Sequence, residues 1–147
     1  MSSVRQQIVD AVDARLKTIK IQNGYDSDLG NSVFRWPTNF IAHDKTTALI
    51  YRDLDAEVFD AAHNKSDHRL NFVAEIMARL GTITDSEIRK MLNDVSRALG
   101  VDHTLGGLAI TLKITAHSIN DMEQTEKIIG AGTINFTVHY RTNQFEI

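Results

Sequence analysis

The chain has 147 residues and a formal net charge of -3, so we expect one domain without general attraction to nucleic acid or anionic membranes. It contains no cysteine, which excludes disulfides and zinc–thiolate sites. We expect a soluble protein made in the cytosol, because no apolar run approaches the about 18 residues of a membrane helix and no signal sequence opens the chain.

The first element is predicted to be an amphipathic helix. Its apolar positions recur every three or four residues, at Val4, Ile8, Val12, Leu16 and Ile19. Ser2 or Ser3 is suited to cap its start, and Asn23-Gly24 supplies a stop and a turn. A helix with such a face has to bury it against another element.

The next region predicts strands interrupted by turns. Residues 33–36 indicate a short strand that ends at Pro37, and residues 46–53 form a β-rich stretch. Charged and small residues dominate 54–67. We expect an exposed loop there, mobile until it meets a partner.

Three later segments place apolar residues at every second position, as strands with one buried face do. Their apolar faces are Leu70, Phe72, Ala74, Ile76 and Ala78; Leu108, Ile110, Leu112, Ile114 and Ala116; and Ile134, Phe136, Val138 and Tyr140. The opposite faces are polar and rich in Thr, and they are suited to water or to a neighbouring subunit.

A second helix is predicted between the first and second of these strands. Residues 84–87 form a capping box, and Gly100 occupies the position of a left-handed C-cap. Its apolar stripe is Ile88, Met91, Leu92, Val95 and Leu99. The whole pattern predicts an α+β domain over 1–147, with two amphipathic helices packed on one face of a mostly antiparallel sheet of about four to five strands.

A search for chemistry in the sequence yields no catalytic residue, no cofactor site and no metal site. The six histidines show no metal-ligand spacing. We predict that His117 and His139 are neighbours across the sheet, on polar strand faces. Gly130 and Gly132 precede a strand, which predicts a hairpin turn and not a phosphate loop.

Three segments, taken in this order, carry a resemblance. They are the first helix with Asn23-Gly24-Tyr25 and Asp28-Leu29-Gly30, the capping-box helix followed by Leu99–Asp102 and Thr104–Gly107, and the late strand ending at Val138–Thr142. Together they resemble the tail terminator or tail completion proteins of long-tailed bacteriophages, the minor tail protein U-like family. The similarity spans about Val4 to Thr142.

The resemblance implies a structural virion protein and not an enzyme. Members of that family form a hexameric ring that caps the head-proximal end of the tail tube, ends its polymerisation and offers a surface to the head connector or neck protein. DNA passes through the lumen without specific binding. The implied localisation is the virion tail, after assembly in the host cytoplasm, with no membrane contact.

On this interpretation the interfaces lie on the 54–67 loop and on the C-terminal tail, residues 142–147. The residues we predict at these contacts are Asp55, Glu57, Phe59, Asp60, Arg141 and Phe145. Exposed phenylalanines outside the periodic elements favour a contact role. The alternative is that Phe59 and Phe145 fold back onto the core.

Three other functions stay open at the level of sequence. The first is another neck or head–tail connector component. The second is a small ligand-binding or hydrolytic α+β domain that uses His103, His117 or His139 with a nearby carboxylate. The third is an adaptor that binds partners along a sheet edge.

Overall fold

The computed structural model describes residues 2–35, 47–61, 63–80, 85–124 and 128–147. Within these residues, two α-helices, two short 3-10 helices and five strands follow one another. In order they are α1 (Val4–Leu16), 3-10 helices at Ile21–Asn23 and Leu29–Ser32, β1 (Val33–Arg35), β2 (Thr47–Ala61), β3 (Lys65–Leu80), α2 (Asp85–Gly100), β4 (Thr111–Gln124) and β5 (Ile128–Asn143).

The five strands form one sheet in the order β1-β2-β3-β5-β4. The β1–β2 pair is parallel, whereas β2–β3, β3–β5 and β4–β5 are antiparallel. The predicted α+β class, strand number and mostly antiparallel pairing are therefore confirmed. No described helix is both long enough and apolar enough to cross a membrane.

Alternate residues of the central strands β3 and β5 build the core beneath the helices. The predicted apolar faces of both strands are buried, and the rings of Phe72 and Phe136 stack at 4.8 Å across the pair. Burying a side chain of this size stabilises the fold by about 1.5–3 kcal/mol. The period-two patterns predicted both strands correctly.

Helix α1 begins where the sequence predicts. The Ser3 hydroxyl accepts a hydrogen bond of 3.1 Å from the Gln6 amide, so Ser3 is the N-cap. Ile8, Val12 and Leu16 are buried against the core. Arg5 donates from Nε to Asp53 Oδ2 at 2.7 Å, which ties the start of α1 to the middle of β2.

Helix α2 carries the predicted apolar stripe, and all five of its residues are buried. The predicted C-cap is wrong, because Gly100 is the last helical residue and its φ is not positive, while Gly106 and Gly107 take the left-handed conformation. The predicted cap residue, Thr84, lies outside the described residues.

The prediction of a hairpin turn at Gly130 and Gly132 is also wrong, since both lie within β5. Gly132 serves close packing instead. A Cβ there would come within 2.9 Å of Ile88 Cγ2, so the absence of a side chain lets α2 lie tightly over β5.

The predicted exposed loop at 54–67 is wrong. Strand β2 continues to Ala61 and β3 starts at Lys65, so most of this segment is a long antiparallel hairpin. A bulge between Asp53 and Ala56 breaks the register and with it the alternation that would have revealed a strand. Beyond the bulge, Glu57 lies opposite Arg69, a cross-strand pair that partly offsets the low β-propensity of charged residues.

The predicted strand at 108–116 is partly wrong as well. Strand β4 starts only at Thr111, and Ile110, expected in the core, is 44% exposed. A second bulge between Ile114 and Ala116 turns Ala116 away from the core. The short strand predicted at 33–36 is confirmed for Val33–Arg35, whereas Trp36, Pro37 and Thr46 lie outside the described residues.

Candidate functional site

The sheet face opposite the helices is the candidate site, and we call it the outer face. On β3 and β5 it is formed by the residues that alternate with the buried ones. They are mostly polar: Asp67, Arg69, Asn71, Val73, Glu75 and Met77 on β3, and Thr133, Asn135, Thr137, His139 and Arg141 on β5. Within the described part of the chain, both α-helices pack on the other face.

At the hairpin end of the outer face, six side chains form what we call the hairpin cluster. Two rows run across the sheet: Phe59 lies opposite Asp67 and Asp67 opposite Arg141, while Glu57 lies opposite Arg69 and Arg69 opposite His139. The hairpin cluster is therefore Glu57, Phe59, Asp67, Arg69, His139 and Arg141. It includes three of the predicted contact residues.

Asp67 is the centre of the hairpin cluster and is itself buried. Arg141 donates to it through Nε at 2.6 Å and through Nη2 at 3.2 Å, and His139 Nε2 lies 3.1 Å from Asp67 Oδ2. The hydrogen bonds from Arg141 lower the pKa of Asp67; burial opposes this shift, and the hydrogen bond from His139 adds to it. The same contact raises the pKa of Arg141, so both groups are charged at neutral pH.

Phe59 lies on this charged surface and not in the core. The guanidinium of Arg69 stands 5.3 Å from the centre of the Phe59 ring, within cation–π distance. The His139 ring lies 5.7 Å away on another side. Glu57 approaches Arg69 at 3.7 Å. The alternative that Phe59 folds back onto the core is therefore wrong, and its ring remains 37% exposed.

The other three predicted contact residues are not part of the hairpin cluster. Asp55 lies further along the outer face, where its Oδ1 accepts a hydrogen bond of 3.3 Å from Asn71. Asp60 pairs in register with Ser66, on the helix side, and is exposed. Phe145 lies on the tail after β5 and is 95% exposed, so it does not reach the core either.

The C-terminal tail is held at the hairpin end of the sheet. The Gln144 amide donates to the Asn64 carbonyl at 2.9 Å, and the Thr142 hydroxyl donates to the carbonyls of Asn143 and Glu146 at 2.8 and 3.1 Å. Phe145 takes a φ of 66°, a left-handed conformation that costs free energy for a residue with a bulky side chain.

Behind the tail lies His68, a buried histidine for which the sequence predicts no role. Its Nε2 is 2.8 Å from Thr142 Oγ1. The single proton of the Thr142 hydroxyl is directed at the carbonyls of Asn143 and Glu146, so its oxygen is suited to accept a hydrogen bond from an Nε2–H of His68. Its ring stacks on Tyr140 at 4.5 Å, and Nδ1 has no partner among the described residues. Burial lowers the pKa of His68; the negative charge of Asp67 opposes this shift, and the positive charge of Arg5 adds to it.

The prediction that His117 and His139 are neighbours is wrong. His139 lies opposite Thr111, whereas the bulge in β4 places His117 opposite Ile134, on the helix side. In the described part of the chain no group of three or more His, Asp or Glu side chains is arranged to hold a metal ion.

The Asp67–His139 pair has the form of a carboxylate–histidine dyad, but Arg141 shares the carboxylate. None of the described hydroxyls is hydrogen-bonded to His139, so the dyad lacks a nucleophile to activate. Asp102 accepts hydrogen bonds from Thr104 and Gly106, which lower its pKa to about 2. These bonds stabilise the loop that follows α2. The arrangement of charged and aromatic side chains is suited to bind and orient a partner surface.

Sequence reasoning missed Asp67, Arg69 and His139 as members of the hairpin cluster. The signal that could have found them was the pairing of residues 65–71 with the later strand. It was missed because 54–67 was interpreted as a loop. No protein-family profile matches the chain, and no curated protein sequence matches it.

Proposed function

We propose that this chain is the tail terminator of a long-tailed bacteriophage, a structural subunit that assembles into a hexameric ring. The ring caps the head-proximal end of the tail tube, ends its polymerisation and offers the joining surface for the head. The observation that carries the proposal is the outer face: it is left uncovered by the described helices, and Glu57, Phe59 and Arg141 meet there.

The hairpin cluster has the composition of a protein-binding surface. Aromatic residues and arginine are enriched at the centres of protein interfaces. Phe59, Arg69 and Arg141 supply both, and the ion pairs hold them in place before a partner arrives. Such preorganisation lowers the entropy cost of binding.

The charges of the hairpin cluster are balanced, since Glu57 and Asp67 face Arg69 and Arg141. A surface of this kind gives no net attraction to phosphates. It suits a protein that contacts the tail tube protein and a head connector or neck protein while DNA passes through the lumen unbound. No cofactor or catalytic step is part of the proposal.

The sheet also offers two different edges for ring closure. Strand β4 forms one edge of the sheet. On the other side β1 covers only Leu49, Ile50 and Tyr51 of β2, so among the described strands the distal half of β2 pairs with β3 alone and presents a second open edge. A cyclic ring needs two different, complementary patches on each subunit. Two unlike edges on opposite sides of one sheet meet this requirement.

The test is tube assembly in vitro with purified tail tube protein. Added wild-type protein is expected to stop tube growth and to produce six-subunit rings on tube ends, measured by electron microscopy and by light scattering. Phe59→Ala should fold normally but cap poorly. Its matched control is Val58→Ala, because Val58 is 60% exposed but lies on the other face of the same strand.

Tubes that grow equally long with and without the wild-type protein would contradict the proposal. A ring that binds isolated connector but never tube ends would instead assign the chain to the neck. Equal capping by the Phe59→Ala and Val58→Ala proteins would show that the hairpin cluster is not part of the contact surface.

A further inference from the structure

A small groove lies between α2 and β4. Its volume is about 230 Å³. The floor is apolar, with Leu92, Ile114 and Ile134, and the rim is polar, with Arg89, Asn93, Ser96 and His117. The groove exists because Gly132 draws α2 tightly over β5 while the bulge after Ile114 displaces the adjacent stretch of β4.

The size of the groove favours an inserted side chain as its occupant. Sites for small molecules usually have volumes of about 300–1,000 Å³ and enclose most of the ligand. This groove is smaller and lies at the sheet edge, where a protein segment can reach it. An apolar floor with a polar rim is the arrangement that receives one anchoring residue at a protein interface.

The C-terminal tail supplies an exposed aromatic residue that could fill such a groove. Phe145 is 95% exposed and is held at a φ of 66°, so both its solvation and its backbone are unfavourable in the free subunit. Ile147, two residues later, is 60% exposed. Burying the Phe145 ring in an apolar groove would recover the cost of exposing it.

The tail cannot occupy the groove of its own subunit. Ile134 on the groove floor lies nine residues before Asn143, where β5 ends, which is about 30 Å along a strand. The four residues after Asn143 span at most about 14 Å when fully extended. Phe145 can therefore reach such a groove only on a second copy of the chain.

The charges of the two surfaces are complementary. Glu146 follows Phe145 on the tail and is exposed, and Arg89 with His117 stands on the groove rim. Arg89 also pairs with Asp85 at 2.7 Å, an exposed ion pair that costs little to rearrange. A tail entering with Phe145 first would bring Glu146 towards this rim.

We propose that Phe145 of one subunit inserts into the groove between α2 and β4 of the next, so that each subunit gives its tail and receives another. The contact is head-to-tail and joins two unlike patches, as ring closure requires. This inference rests on the proposed ring and adds the residues that join its subunits.

Cross-linking tests the contact directly, because the chain has no native cysteine. Gln144→Cys and Asn93→Cys proteins are mixed, alone and on tail tubes, and treated with a short bis-maleimide. We expect cross-linked dimers from the mixture and a ladder up to the full ring from the double variant. Lys113→Cys, on the exposed outer face of β4, replaces Asn93→Cys as the control and should give background only.

A second measurement uses affinity. Phe145→Ala should weaken self-association at least about tenfold, as loss of an anchoring aromatic residue does, while Val101→Ala, also an exposed apolar residue, should not. Wild-type protein that stays monomeric even on tubes would overturn the ring itself. Two results would overturn only the docking of the tail. One is rings that form and cap tubes but give no cross-link to Asn93→Cys, and the other is self-association that Phe145→Ala leaves unchanged.

Discussion

The two faces of the sheet are made by alternate residues of the same strands, yet they differ in almost every physical respect. On the helix face Phe72 and Phe136 stack inside a buried core. One residue later, on the outer face, Val73 is half-exposed opposite Asn135. The fold draws most of its stability from one face, so the other is free to hold charges and an exposed aromatic ring for contact.

The strongest test of this difference between the two faces is to replace two adjacent residues of β3 by alanine, one at a time. Phe72→Ala should lower the free energy of unfolding by about 3–5 kcal/mol, because it removes stacking and leaves a cavity. Val73→Ala should cost under about 1 kcal/mol. Denaturant titration of both proteins measures the difference, and equal losses would contradict the division of the sheet into two faces.

The pH dependence of stability tests the polar group buried on the helix side. The pKa of His68 is lowered in the folded protein, so the unfolded chain takes up a proton first as pH falls below about 6.5. Stability should therefore decrease between pH 7 and pH 5, by no more than about 1.4 kcal/mol per pH unit, the limit for one proton.

The His68→Gln protein is the matched control for this pH effect. Its side-chain amide can still donate to Thr142, but it does not titrate. The difference in stability between wild type and this variant should shrink on acidification. A constant difference would show that His68 does not couple to folding.

On the outer face, the largest effect is expected at Asp67. Asp67→Asn removes a charge that accepts three hydrogen bonds, and should cost about 1 kcal/mol at pH 7. Because the folded pKa of Asp67 is lowered, this contribution is present above its unfolded pKa and is lost as pH falls through the folded value. Glu75→Gln, an exposed carboxylate on the same strand, is the control and should be close to neutral.

The smallest effect is expected at Phe59. Phe59→Ala should change the free energy of unfolding by less than about 0.5 kcal/mol, since the ring lies outside the core. Thermal unfolding by circular dichroism measures this. A loss comparable to that of Phe72→Ala would mean that the outer face also acts as a core.

The residues that alternate without interruption could be predicted from the sequence, and the bulged ones could not. Leu70 to Ala78 and Ile134 to Tyr140 keep period two throughout, and both strands form as expected. The bulge at Asp53–Ala56 reverses which residues of β2 face the core, so the hairpin looks like a polar loop. In the same way, the bulge after Ile114 places His117 on the helix side of the sheet, opposite to the side that we predicted.

The site could be predicted only as a set of candidates. The sequence singled out exposed Phe and charged residues near 54–67 and 141–145, but which of them lie side by side depends on long-range register. Asp67 and Arg141 are 74 positions apart in the chain and become neighbours only when β3 and β5 pair. Nothing local in the sequence specifies that pairing.

The edge strand β4 has a consequence for how the protein behaves at high concentration. An open edge invites other sheets to add to it, and proteins discourage this with bulges and lysines. Strand β4 has two register shifts, after Ile114 and after Asn120, and Lys113 lies along it. A flat strand from another molecule cannot match this irregular edge over more than a few residues. At high concentration the protein is thereby protected from sheet-to-sheet aggregation.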